Sequence, residues 1–168
     1  MLFRSVNPVV LINLGRAYDM ARRFPEAIEV YKRVVALNAA GTFFGNYHMT
    51  FSYLQLGRKD EAFQSWLETR KSRFKDTEDP ARAQYQRGGW DAVWRLILQE
   101  SSTRPPGNRV RMRAHVFLGE KTQALDELEA MEQNFDWWMF TLEDPLLDPL
   151  RQEPRFQALL KRLHYPGT

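Results

Sequence analysis

The feature that most restricts the fold of this chain is a pattern of alanine and aromatic residues that recurs after 35 residues. Each copy has an aromatic near the end of a first helical stretch, then an alanine and a second aromatic in the next. These residues are Tyr18, Ala27 and Tyr31 in the first copy and Tyr53, Ala62 and Trp66 in the second. A period of this length built from two helical patterns is typical of a repeat array rather than a catalytic domain.

Local signals place the helices of the first two repeats. Asn7-Pro8 predicts a helix start, with an Asx N-cap and proline at the first helical position. Thr42 is the predicted N-cap of the second repeat, and Gly57 its left-handed C-cap between two helices. We therefore predict two repeats over 8–76, with residues 1–7 as a lead-in or a truncated preceding repeat.

The following stretch keeps the hairpin pattern with a weaker aromatic match. Gly88-Gly89 is predicted to turn the chain between two short helices, the second of them around Ala92. Gly119 is predicted to end a later helix, and Ala124 follows it much as Ala62 follows its own glycine turn. These spacings predict two degenerate repeats over 77–134.

The closing stretch, 135–168, differs in composition. We expect the apolar run Asp136–Phe140 to fold onto the last repeat, and we interpret Asp144-Pro145 and Asp148-Pro149 as two helix starts. Pro154 to Leu163 reads as a terminal amphipathic helix. Because end units must cover an exposed apolar face, we predict an all-α, right-handed α-α superhelix of about four hairpins with a C-terminal helical cap.

The bulk composition excludes several classes of protein. Hydrophobic residues make up 43% and charged residues 27% of the 168 residues, which argues against disorder. The net charge of +3 and the small basic clusters favour a solvated surface over a nucleic-acid site. The apolar runs are too short to cross a bilayer, and no secretory signal is readable. The sequence contains no cysteine, so both a reducing and an oxidising compartment are allowed. We expect a cytoplasmic chain that binds neither nucleic acid nor membrane directly.

Residues 8–76 resemble the tetratricopeptide repeat. The matching residues are Leu14, Gly15, Tyr18, Ala27 and Tyr31 in the first repeat, and Tyr53, Gly57, Ala62 and Trp66 in the second. The pattern departs from the family at Thr50 instead of glycine, at Asn46 instead of a large apolar residue, and at Ala39 and Phe74 instead of the terminal proline. The resemblance implies a concave groove, lined by the first helices, that binds extended peptides or partner helices.

Residues 80–163 are similar to the end of certain bacterial signalling proteins. The motifs in question are Gly88-Gly89-Trp90, the Pro105-Pro106 loop, Phe117 to Leu125 with Gly119 inside it, and Asp144-Pro145 to Phe156. In such proteins a tetratricopeptide array follows a winged-helix DNA-binding domain, a protein kinase or a nucleotide cyclase. The resemblance implies a sensory or docking region whose output partner lies outside this sequence.

Transferring the family's groove geometry onto this chain selects the candidate binding residues. They are Ile12, Arg16 and Asp19 in the first repeat, Phe44, Tyr47, His48, Phe51, Leu54 and Gln55 in the second, and Arg109, Arg113 and Val116 in the fourth. Phe44, Tyr47, Phe51 and Leu54 form a helical stripe on a different face from Met49 and Tyr53. A helix with two apolar faces is either packed on both, within the chain or against a second copy, or it exposes a binding patch.

Three arginines in this set, Arg16, Arg109 and Arg113, could grip a ligand carboxylate, although an ordinary surface role is the simpler interpretation. The three histidines, His48, His115 and His164, lack metal-ligand spacing, and we expect His115 to pack in place of an aromatic. No phosphate loop, nucleophile elbow or His-Glu-x-x-His motif is present.

We therefore expect no enzymatic activity, no cofactor and no metal. The predicted function is protein or peptide recognition. Two alternatives stay open: a small-ligand sensory region of a bacterial signalling protein, and a scaffold that forms a homodimer.

Overall fold

The computed structural model describes residues 7–37, 39–71, 79–133 and 142–165. All regular elements within these ranges are helices that pack as hairpins, so the predicted all-α hairpin class is confirmed. The chain divides into two compact units, Met1–Arg82 (unit 1) and Ala83–Thr168 (unit 2). Among the described residues, no helix combines the length and apolar content that crossing a membrane requires.

Unit 1 contains two helical hairpins, built from four helices in chain order. They are α1 (Pro8–Met20), α2 (Phe24–Leu37), α3 (Ala39–Gln55) and α4 (Lys59–Arg70). Each helix packs mainly against its neighbours in the sequence, and α1 also touches α3. The predicted start of α1 is confirmed, since Asn7 Oδ1 accepts a hydrogen bond from the backbone N–H of Val9 at 2.9 Å.

The predicted N-cap of α3 was wrong. The helix begins at Ala39, so Thr42 lies within its first turns, where its carbonyl accepts a hydrogen bond from Asn46 Nδ2 at 3.0 Å. Alanine is the strongest helix former, and Ala39-Ala40 therefore extends the helix N-terminally past the threonine that a local capping rule selects.

Unit 2 begins within α5 (Pro80–Glu100) and continues with α6 (Arg109–Phe117), α7 (Lys121–Gln133), a 3-10 helix (Pro145–Leu150) and α8 (Pro154–Arg162). The predicted turn at Gly88-Gly89 is confirmed, because both glycines leave the helical region and split α5 in two. Asn108 caps α6 with its side-chain oxygen, which accepts from Val110 N at 3.0 Å.

Asp144-Pro145 and Asp148-Pro149 were predicted to start two helices, but the structure has one 3-10 helix over both. Asp144 caps the 3-10 helix, its Oδ1 accepting from Leu146 N at 3.0 Å, but Asp148-Pro149 lies inside that same helix. Asp148 instead pairs with Arg151, at 2.7 Å between Oδ1 and Nε. A single short 3-10 helix accommodates Pro149 because so few of its turns need the missing N–H. The predicted packing of Asp136–Phe140 falls outside the described residues.

Three of the hairpin turns share one backbone geometry. A residue with positive φ follows the aromatic of the first helix by four positions, and the next N–H donates to that aromatic's carbonyl. The triplets are Tyr18, Arg22 and Arg23; Tyr53, Gly57 and Arg58; and His115, Gly119 and Glu120. The fourth residue after each triplet is an alanine, and Ala27, Ala62 and Ala124 are fully buried.

The turn at Gly88-Gly89 does not follow this geometry. Gly89 has φ 59° and ψ −146°, outside the left-handed helical region that ends the other first helices. Ala92 is only half-buried there, whereas Val93 and Trp94 fill the interior. Ala92, around which the second helix was predicted, is therefore not equivalent in packing to Ala62 and Ala124.

A C-terminal cap covers the last hairpin, as predicted. Leu142, Leu146, Leu147 and Leu150 share one apolar core with α6 and α7, to which α8 adds Phe156, Leu159 and Leu160. Arg155 of α8 reaches Asp126 and Glu129 of α7, each at 2.8 Å. Polar pairs at the rim and leucines beneath them thus close the apolar side of the hairpin.

Candidate functional site

The candidate site lies on α3, whose amphipathic pattern is reversed. The helix has 17 residues, and none of them is aspartate, glutamate, lysine or arginine. Its buried side carries four small or polar residues, Gly45, Asn46, Thr50 and Ser52, together with Met49 and Tyr53. The opposite side carries the large aromatics, and Phe43 and Phe44 remain 47% and 52% exposed. The sequence-based separation of this stripe from Met49 and Tyr53 is confirmed.

Close packing explains why the small residues face inward. A Cβ added at Gly45 would lie 2.7 Å from Val35 Cγ2 and 3.1 Å from the carbonyl oxygen of Tyr31, so only glycine fits this crossing of α2 and α3. The buried polar groups are satisfied within the helix, since Thr50 Oγ1 donates to the Asn46 carbonyl at 2.9 Å. Polar burial therefore costs little here, and the aromatics are left on the outside.

The aromatic rings on this side pack against one another along the helix, edge to face or stacked. We call Phe43, Phe44, Tyr47 and Phe51 the aromatic row. The rings of Phe43 and Phe44 lie 5.3 Å apart at 90°, and those of Tyr47 and Phe51 lie 5.1 Å apart at 74°. Tyr47 also stacks on Phe43 at 6.0 Å. These separations and angles are those that aromatic pairs prefer, so the rings of the row support one another.

Phe43 was missed from the sequence, although its i, i+4 spacing to Tyr47 was a readable signal. Leu54 is half-buried and Gln55 is exposed, both on the same side of α3 as the row. The structure therefore brings the predicted α3 residues onto one continuous surface and adds Phe43 to it.

A hydrogen-bonded group beneath the row holds α3 against α1 and α2. Asp19 of α1 accepts from the hydroxyl of Tyr31 and from Ser52 Oγ, both at 2.7 Å. His48 stacks on the Tyr31 ring at 5.2 Å and meets Tyr47 edge-on at 5.5 Å. Asp19 and His48, predicted as groove residues, thus also join three helices through specific contacts and position Tyr47.

The other predicted residue positions in unit 1 lie on α1. Ile12 and Arg16 are half-buried, and Ile12 packs against the apolar cluster of Leu11, Val30 and Val34. Arg16 is the α1 counterpart of Phe51, 35 residues earlier. At these two positions α1 therefore carries an aliphatic and a cationic side chain, whereas α3 carries aromatic side chains.

In unit 2, Arg113 is buried and forms an ion pair with Asp144 at 2.9 Å. Because Asp144 also caps the 3-10 helix, Arg113 links α6 to the cap. Arg109 and Val116 also lie on α6, where Arg109 is half-buried and Val116 is buried. The charge of Arg113 is therefore already matched by a carboxylate within unit 2.

A second acidic residue of unit 2, Glu127, organises the loop before α6, and no sequence signal pointed to this role. Glu127 is buried and accepts from the backbone N–H groups of Gly107 and Asn108, each at 2.9 Å, while Arg111 Nε donates to it at 2.7 Å. His115 is half-buried with Nδ1 2.7 Å from Glu120 Oε2, so it fills the aromatic's place and also makes a polar contact.

Within the described ranges, no group of three or more histidine, cysteine or carboxylate side chains is arranged to hold a metal ion. The chemistry that α3 offers is a surface of aromatic rings in contact with one another. No family model matches this chain, and neither a curated protein nor a solved structure matches it. The tetratricopeptide and signalling-protein resemblances therefore stay predictions.

Proposed function

We propose that this chain is a non-catalytic recognition module that binds a segment of another protein through the aromatic row of α3. The observation that carries the proposal is the exposure of Phe43 and Phe44 on a helix that contains no aspartate, glutamate, lysine or arginine. A phenylalanine buries roughly 150–250 Å² when packed, so two half-exposed rings leave roughly 200 Å² of aromatic surface in water. Tyr47, Phe51 and Leu54 extend that surface along the helix.

Such a surface is suited to apolar side chains of a partner. Contiguous apolar patches of roughly 300–600 Å² are often functional in monomers, and aromatic residues are enriched in the centres of interfaces. The contacts beneath the row, from Asp19 to Tyr31 and Ser52, limit its rearrangement and so reduce the entropy that a partner must overcome.

A selection from a display library of random 12-residue peptides tests this proposal. Peptides are selected on the wild-type chain and counted again on Phe44→Asp, which alters an exposed side chain and so should fold normally. We expect apolar or aromatic peptides that lose at least about tenfold in affinity on Phe44→Asp, because a buried carboxylate would face them.

The matched control is Val9→Asp, which places the same charge on an exposed residue of α1, 35 positions earlier. Amide shift mapping of a selected peptide should report on α3. Peptides that bind Phe44→Asp as tightly as the wild type, or that shift only amides outside α3, would contradict the proposal.

A homodimer is the second candidate, and the same exposed row favours it, since an uncharged aromatic surface can pair with its own copy without like-charge repulsion. Sedimentation over a wide concentration range separates the two. A dimer that Phe44→Asp dissociates would support the scaffold, whereas a monomer that binds selected peptides would support recognition. The small-ligand sensory role stays a prediction from the resemblance alone.

A further inference from the structure

The aromatic row lies on an internal helix of unit 1. The neighbours of α3 in the sequence, α2 and α4, both pack against it. The preceding hairpin meets the opposite side of α3, where Gly45 lies against Val35 of α2 and Ser52 donates to Asp19 of α1. The row is therefore not the side of α3 on which the preceding hairpin packs, and a segment that binds it does not continue the array.

The contacts within the row determine how a binding segment can meet it. The ring centroids of its paired members lie 5.1–6.0 Å apart. A side chain inserted between two rings would need roughly 7 Å, the sum of two carbon–carbon contacts of about 3.5 Å. These pairs are too close to admit a proline ring or a flat side chain between them. A binding segment must therefore lie over the row, as over a continuous ridge.

Hydrogen bonding favours a helical segment over an extended one. Phe43, Phe44 and Phe51 have no polar side-chain atoms, and Tyr47 offers a single hydroxyl group. An extended segment lying on the ridge would remove several of its own N–H and C=O groups from water without replacing those hydrogen bonds. An α-helix satisfies the same groups internally, so that only its side chains meet the row.

The spacing along the ridge distinguishes the two modes. Phe43, Tyr47 and Phe51 follow one another at intervals of four residues and form a ridge of the kind through which helices pack. Phe43 and Phe51 are eight residues apart, which is about 12 Å along the helix axis. A helix lying nearly parallel or antiparallel to α3 spans about 12 Å with side chains seven or eight positions apart. An extended segment spans it in about four residues.

The composition of α3 also restricts the side chains that can face it. Because α3 contains no aspartate, glutamate, lysine or arginine, a charged side chain on the ridge would lose water without gaining an opposite charge from this helix. The rings are bulky, so close approach requires smaller residues on the other helix. The row therefore fits a stripe of aliphatic residues, with the charged residues of that helix on its other sides.

Two copies of α3 fit each other less well than α3 fits such a helix. In a symmetric pair, the rings of one copy would face the rings of the other, and bulky residues in register hold two helices apart. Phe43 and Phe44 leave roughly 200 Å² of aromatic surface per copy, and the half-buried Tyr47 and Phe51 add smaller areas. Stable dimers typically bury roughly 1,200 Å² or more. A surface of this size suits a reversible contact with a short helix.

We infer that the aromatic row binds an amphipathic α-helix of another protein, which lies along the ridge of Phe43, Tyr47 and Phe51 and contacts it through an uncharged aliphatic stripe. This inference rests on the function proposed for α3 and specifies the conformation and the side chains of the bound segment.

The test uses the peptides selected on the wild-type chain and locates their anchors by double-mutant cycles. Each apolar peptide residue is replaced by alanine, and each variant peptide is measured against the wild type, Phe43→Ala and Phe51→Leu. We expect one anchor to couple with Phe43 and another with Phe51, seven or eight positions apart in the peptide. Coupled anchors only three to five positions apart would show an extended segment and overturn the inference.

A proline substitution gives a second readout that changes nothing in the protein. Proline is placed at a central peptide position that tolerates alanine, and the alanine peptide is the matched control. We expect the proline peptide to bind at least about tenfold more weakly than the alanine peptide, because proline breaks a helix interior. The Cα chemical shifts of an isotopically labelled peptide should be helical in the complex. Equal affinities of the proline and alanine peptides, or extended shifts in the complex, would count against a helix.

The remaining outcomes separate this inference from the proposed function. Peptides that respond to Phe44→Asp but bind in an extended form would leave the proposed function standing and overturn the helix alone. A selection without any peptide that responds to Phe44→Asp would overturn both. Sedimentation of the chain as a dimer that Phe44→Asp dissociates would also overturn the inference, because the occupant would then be a second copy, whichever of its helices makes the contact.

Discussion

Replacing Gly15 by alanine should destabilise unit 1, although alanine is the better helix former. A Cβ at this position would lie 2.4 Å from Cε1 and 2.6 Å from Cζ of Tyr31. An unstrained carbon–carbon contact needs roughly 3.5–4.0 Å, so the ring must move by about 1 Å. Tyr31 is fully buried, and its hydroxyl donates to Asp19 at 2.7 Å, so this movement strains both the packing and the hydrogen bond.

The magnitude follows from three opposing effects. Alanine in place of glycine in a helix stabilises by about 1 kcal/mol. Overpacking a filled interior costs about 1–3 kcal/mol, and losing a hydrogen bond to a charged carboxylate costs about 1.5–3 kcal/mol. Gly15→Ala should therefore lower the free energy of unfolding of unit 1 by about 1.5–5 kcal/mol.

The assay is a urea titration followed through the NMR amide signals of α1 to α3, which reports on unit 1 alone. Asn13→Ala is the matched control, because it adds alanine at an exposed position of the same helix and should be neutral or slightly stabilising. In a Tyr31→Phe background the hydrogen bond is already absent, so Gly15→Ala should cost about 1.5–3 kcal/mol less than in the wild type. A Gly15→Ala chain as stable as Asn13→Ala would refute the reasoning.

Three further predictions concern turns and charges. Arg22 and Gly57 occupy equivalent turn positions with φ of 58° and 71°, a backbone conformation that glycine adopts at the lowest cost. In thermal unfolding, Arg22→Gly should therefore stabilise unit 1 by about 0.5–1 kcal/mol, and Gly57→Arg should destabilise it by about 1 kcal/mol. Glu127→Gln should lower the free energy of unfolding of unit 2 by about 3 kcal/mol, since it removes the buried carboxylate that pairs with the half-buried Arg111. No change in a urea titration would contradict this. The side-chain hydrogen bond from Arg23 lowers the pKa of Glu26 below 4.5, so its stabilisation is present above pH 4.5 and lost as the pH falls through the lowered pKa. In an NMR titration, Arg23→Gln should raise the pKa of Glu26 toward 4.5.

Features set by neighbouring residues could be predicted from the sequence. Asn7 and Asp144 each cap a helix through their own side chain, and Gly57 ends one with a positive φ. These are short-range interactions, so the residue type and its immediate neighbours are enough. The same reasoning applies to the three hairpins whose turn is followed by a fully buried alanine, which are those of Ala27, Ala62 and Ala124, and it fails for the hairpin at Gly88-Gly89.

Features set by distant residues could not be predicted in this way. Asp19 reaches Ser52, which is 33 positions away, and Arg113 reaches Asp144, which is 31 positions away. A repeat pattern gives each position a face on its helix, but it does not report which polar side chains will meet there. It also does not report whether another helix lies against a given face. Leu14 therefore has a residue type suited to packing and is nevertheless exposed.

The orientation of α3 is decided by backbone distance rather than by hydrophobicity. An average hydrophobic pattern would place Phe43, Phe44 and Phe51 inside, yet Gly45 is the residue that allows α3 to approach the Tyr31 backbone. Once Gly45 faces α2, the helical period places the phenylalanines on the opposite side whatever their polarity. Their exposure is therefore a consequence of the packing that stabilises unit 1. Because the core does not need these side chains, their aromatic character requires another explanation, and binding a partner provides one.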